Sequence, residues 1–178
     1  MNGAAQRLRG RCFGLKEARA LAAEIGGDKA AVLVLVLELF GEDVEIRKRA
    51  ADTARRITER DAGPLERYAD ELAGLLESLP PEESRTRWHL GLVVSRVANT
   101  RAQRLRAARA MSLLAEDESN VVRCSAVEGL GTLALVEPSL RDEAESMVER
   151  YLLEGTTKAM KSRAQGVRKM LEKKFGER

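Results

Sequence analysis

Trp88 is the chain's only tryptophan, and His89, beside it, the only histidine. An indole presents a flat face on which a base can stack. A histidine can serve as a general base or a metal ligand. A lone histidine does not make a metal site, and no residue near His89 suggests a nucleophile for it to activate. The two cysteines, Cys12 and Cys124, lack metal-ligand spacing and do not form a disulfide framework, which fits a reducing cytosol. No glycine-rich phosphate loop is present. The acidic pairs Glu42-Asp43 and Asp117-Glu118 stand at helix starts, where they cap and complement the dipole. These observations predict a cytoplasmic, non-enzymatic chain with no cofactor, catalytic residue or metal.

The remaining chemistry is charge. The net charge of +3 is unevenly spread: residues 1–19 carry +4 and residues 156–178 carry +6, leaving −7 for the body between them. Arg101, Arg104, Arg106 and Arg109 place four cations on one helix with no acid among them, a candidate surface for an acidic peptide or a phosphate. A solvated face balanced by Glu-rich neighbours is the plainer reading. The last helix carries Lys158, Lys161, Arg163, Arg168, Lys169, Lys173 and Lys174 around an apolar stripe. Such basic amphipathic helices touch nucleic acid or anionic membranes, although a terminal helix also needs one polar side. Lys169 and Lys173 join the four arginines as candidate partner-binding residues.

Positioning these groups requires helices. Aromatic residues make up only 3% of the chain, so Ala, Leu and Val must do the packing, which favours close helix-on-helix contact. Gly26-Gly27, Gly41, Gly63-Pro64, Pro80-Pro81, Pro138 and Gly155 punctuate the chain, and Asp28 and Asp43 are good N-caps. The breaks predict about nine helices in two alternating classes. The first class falls near 5–24, 43–60, 82–98, 119–136 and 157–175, the second near 28–40, 64–79, 101–115 and 138–153. A 38-residue step relates the members of each class. It links the basic residues Arg9, Arg47, Arg85, Arg123 and Lys161, and, three residues on, Cys12, Ala50, Trp88, Ala126 and Ala164. In the second class it links Val34, Leu72, Ala110 and Val148, and likewise Leu37, Leu75, Leu113 and Tyr151. This register puts Trp88 in a packed column and makes KAAVLVLVLELF a helix despite its strand-like alternation. A period of paired helices implies an all-α, right-handed α-solenoid of antiparallel pairs, a single domain over residues 1–178.

At these residues the chain resembles the HEAT-repeat family. Asp43, Val44, Ile46 and Arg47 followed by Ala50-Ala51 match its pattern of an acidic turn residue, a branched apolar residue, an arginine and a small residue. Glu118, Val122-Arg123, Ala126 and Leu130 match nearly as well. Met160-Lys161 with Ala164 is weaker, and the segments around Arg85 and Leu8-Arg9 depart further. The resemblance implies a scaffold or adaptor, with the first-class helices on the convex side. It also implies that the basic ladder ties repeats together through acids such as Asp43 or Glu118, rather than forming a phosphate stripe. HEAT-like DNA glycosylases make nucleic-acid binding, linked to base repair, the alternative function.

The apolar run 30–40, from Ala30 to Phe40, contains Glu38 and is too short to span a membrane. Its large side chains cover every side of a helix, so the N-terminal segment or another chain must cover it. This predicts a protein partner, with a second copy as a candidate, and the whole predicts a protein–protein interaction scaffold.

Overall fold

A computed structural model describes residues 3–10 and 13–176; Cys12, expected in the packed column, lies outside them. The described residues contain no strand and form eleven α-helices. These are α1 (Gly3–Leu8), α2 (Leu15–Ile25), α3 (Lys29–Leu39), α4 (Val44–Thr58), α5 (Gly63–Glu66) and α6 (Ala69–Ser78). They continue as α7 (Ser84–Val97), α8 (Arg101–Leu114), α9 (Asn120–Val136), α10 (Arg141–Glu154) and α11 (Lys158–Phe175).

The sequence signals that start these helices work as expected. Asp28 accepts from the Ala30 and Ala31 amides at 2.8 and 3.3 Å, and Asp43 from the Glu45 and Ile46 amides at 2.9 and 3.1 Å. The Thr157 hydroxyl accepts from the Met160 amide at 3.2 Å. Two expected helices are divided. The span 5–24 separates into α1, which packs on α3, and α2, which packs on α4. The span 64–79 separates into α5 and α6 because the pieces serve different neighbours: α5 lies against α3, α4 and α7, and α6 against α7 and α8. Pro81 and Pro138 open short 3-10 turns, Pro81–Glu83 and Pro138–Leu140, and the α-helices follow them.

Helices α2, α4, α7, α9 and α11 pack each on the next. Helices α3, α6, α8 and α10 lie against this row, and the buried side chains between form one connected cluster from Ala4 to Leu171. Two glycines of α9 let neighbouring helices approach it closely. A Cβ on Gly129 would stand 2.5 Å from the Met111 Sδ of α8, and one on Gly131 would overlap the Val167 Cγ1 of α11.

Burial shows that the buried columns are not evenly spaced along the chain. Ile46, Thr86, Val122 and Met160 share one buried position, so the steps are 40, 36 and 38 residues. The next column is Ala50, Leu90, Ala126 and Ala164, each with no exposed surface. The turn Pro81–Glu83 delays α7, and the shorter link to α9 restores the register. Trp88 therefore leaves the alanine column and takes the partly exposed position of Lys48 and Cys124. The second class steps through Leu39, Leu76, Leu114 and Tyr151. Of the residues placed in that column by a strict 38-residue step, Leu37 is 61% exposed and Leu113 71% exposed. In the first repeat, Ala18, Ala22 and Ile25 of α2 occupy the places of Ala50, Ala54 and Ile57, so Arg9, in the turn after α1, is not on the equivalent helix.

Candidate binding cleft

The slip in α7 turns the chain's only Trp and His toward a cleft of about 370 Å³ between α4, α7 and the segment leading into α2. Phe13, Leu15 and Trp88 supply apolar surface, and Lys48, Arg49, Arg55, Arg56 and Arg85 supply five cations against two carboxylates, Glu45 and Asp52. Arg49 builds one wall. Its Nη1 donates to the Leu8 and Gly10 carbonyls at 2.8 and 2.7 Å, and its guanidinium lies 5.4 Å from the Phe13 ring centroid. The chain entering α2 is thereby fastened to α4.

His89 is 6% exposed, and its ring stacks on Trp88 with centroids 4.2 Å apart and planes 27° from parallel. Its Nε2 is 3.9 Å from Asp52 Oδ1, while Nδ1 is buried without a hydrogen-bond partner among the described residues. Burial pushes its pKa down to about 4; Arg55, Arg85 and Arg56 add to the effect, and Asp52 opposes it. The imidazole is neutral at neutral pH, able to donate or accept a hydrogen bond but a weak base. Asp52 accepts from Arg55 and Arg56 at 3.2 Å. Among the described residues lining the cleft there is no Ser, Thr or Cys for His89 to activate.

The expected ladder resolves into separate arrangements. Arg47 pairs with Glu83, just before α7, and donates to the Gly41 carbonyl at 2.7 Å. Arg87, not Arg85, is its counterpart in α7 and pairs with Asp117, just before α9. The acids engaged are thus Glu83 and Asp117, while Asp43 caps its own helix. Arg123 sits 5.5 Å from the Tyr151 ring centroid, Arg9 is bidentate to Glu38 at 3.0–3.3 Å, and Lys161 is exposed. Arg85 is exposed at the cleft.

The arginines of α8 are largely engaged by neighbouring carboxylates. Arg106 donates to Glu77 at 2.7 and 3.0 Å, which raises the guanidinium pKa and lowers that of Glu77. Arg104 is 3.4 Å from Glu137 and donates to the Asn99 carbonyl at 2.7 Å. Arg101 stands 3.7 Å from Glu137, and Arg109 is exposed. Lys169 and Lys173 are exposed on α11. None of these residues borders the cleft. The sequence singled out none of Phe13, Leu15, Lys48, Arg49, Arg55 and Arg56 as binding residues; the doubled proline at 80–81 was the available signal only for the displacement of α7.

A second surface lies on α3. Its Ala31, Val32, Leu35, Val36 and Leu39 are buried, but Leu33, Leu37 and Phe40 are 45%, 61% and 48% exposed and form one ridge. Helix α1 packs on α3 and leaves that ridge open. No helix among the described residues is long and apolar enough to cross a membrane. In comparisons with known proteins, no protein-family model, curated protein or solved structure matches this chain.

Proposed function

We propose that the chain is a right-handed HEAT-like α-solenoid, a single domain acting in the cytoplasm as a non-enzymatic protein–protein interaction scaffold. The successive packing of α2, α4, α7, α9 and α11, with recurrent buried columns and the forward ties Arg47–Glu83 and Arg87–Asp117, supports the architecture. The observation that carries the function is the α3 ridge. Leu33, Leu37 and Phe40 expose contiguous apolar surface of the kind that marks protein contacts. A second copy fits it, because a two-fold axis at Leu37 sets the same ridge against itself.

Sedimentation velocity of the purified chain tests this reading. Wild type self-associates at micromolar concentration and Leu37→Arg is monomeric. A wild-type monomer throughout that range, indistinguishable from Leu37→Arg, overturns it. The second reading, nucleic-acid binding, draws on the arginines around Trp88 and requires retention on DNA or RNA that falls steeply with salt.

A further inference from the structure

We infer that the cleft between α4 and α7 binds an acidic peptide segment of a partner protein, one that sets a carboxylate beside a large apolar side chain. This deepens the scaffold reading and rests on it.

The cleft has two chemically distinct sides. Phe13, Leu15 and Trp88 form an apolar wall, and Leu15 is 58% exposed although it opens a helix that buries its other large apolar residues, Leu21 and Ile25. Opposite stand the cations. Lys48 is paired with Glu45 at 2.5 Å, Arg49 is spent on backbone carbonyls, and Arg55 and Arg56 share Asp52. Arg85 has no carboxylate partner among the described residues and is the charge left to receive an incoming anion. His89 also lines the cleft, and its buried Nδ1 lacks a hydrogen-bond partner among the described residues. A volume of about 370 Å³ holds one or two side chains.

A polynucleotide fits less well. It gains affinity by neutralising many phosphates along a track. Along the same row of helices three arginines are already answered: Arg96 and Arg163 lie 3.4 and 2.6 Å from Glu128, and Arg87 pairs with Asp117; the exposed lysines Lys161, Lys169 and Lys173 stand on α11 and do not border the cleft. Glu45 and Asp52 inside the cleft would also face a phosphate backbone.

Because Trp88 is the only tryptophan, its emission reports this site alone. The probe is the synthetic peptide acetyl-Glu-Asp-Leu-Glu-Phe-Asp-amide, titrated at low salt into the full chain. Its amide counterpart, with Gln and Asn replacing the acids, and a single-stranded oligothymidylate serve as comparisons. The acidic peptide produces a saturable change in Trp88 emission that the amide peptide does not. Arg85→Glu weakens its affinity by about tenfold or more, Leu15→Ser weakens it without altering charge, and Arg109→Glu on α8 leaves it unchanged. Circular dichroism confirms that each variant keeps its helix content. No saturable change, equal affinity for the amide peptide, or an undiminished Arg85→Glu variant overturns the assignment. Tighter binding of the oligothymidylate overturns it in favour of nucleic acid. A self-associating chain that ignores the peptide loses only this assignment, whereas a wild-type monomer indistinguishable from Leu37→Arg removes the scaffold reading itself.

Discussion

Arg47 on α4 reaches forward to Glu83, the residue that precedes α7, and both side chains are largely withdrawn from solvent, at 15% and 7% exposure. Arg87 repeats the gesture one step later with Asp117. The pairs join a helix to the start of the next helix in the row, so they lock the spacing of successive elements rather than the geometry of one helix. Removing one partner leaves the other charge buried and unanswered, which costs far more than loss of a surface ion pair. Arg47→Ala is therefore expected to lower unfolding stability by about 3 kcal/mol. Urea denaturation checks this, with Arg106→Ala, which breaks the exposed pair with Glu77, expected to cost about 1 kcal/mol or less.

The contact between α9 and α11 has its own test. Gly131 faces Val167, a β-branched side chain with little rotational freedom. Gly129 faces the Sδ and Cγ of Met111, an unbranched and flexible side chain. Gly131→Ala is expected to destabilise by about 1–3 kcal/mol through overpacking, despite the better helix propensity of Ala. Gly129→Ala should cost less, and thermal unfolding of the two variants ranks them.

His89 makes stability depend on pH. Its pKa is about 4 in the folded chain and about 6.5 when unfolded. Between those values the unfolded state binds more protons, so stability falls as pH drops from about 6.5 toward 4 and levels below. The contribution is on the order of 3 kcal/mol. Across that window wild type should lose stability relative to His89→Gln, in which the group is absent. Parallel pH profiles for the two would show that His89 is not held neutral.

Much of this arrangement could be read from residue types. Asp28 and Asp43 marked helix starts, and the run 30–40 proved helical despite its strand-like alternation. Leu33, Leu37 and Phe40 are exposed, so that run is more apolar than its packing needs. The two-residue slip was hidden because Arg85 and Arg87 are both arginine, so a strict period lands on a plausible residue and misses the equivalent one. The same slip concealed the cleft: Trp88 counted from a uniform period falls among Ala50, Ala126 and Ala164, where no ligand could reach it. Pro80-Pro81 marks where the 3-10 turn falls, but a fixed period carries no record that the turn delays one helix and that a shorter link compensates. The division of 64–79 was equally hidden, because Leu65 and Leu72 keep helical phase while their segments pack on different neighbours.

Everything proposed for the cleft depends on Trp88 facing out of the alanine column. Acrylamide quenching of its emission measures this directly, since no other tryptophan contributes. A partly exposed indole at the cleft wall is readily quenched, and the peptide probe protects it. A Trp88 that acrylamide cannot reach, before or after peptide addition, would return it to the packed column and contradict both the slip in α7 and the site built on it.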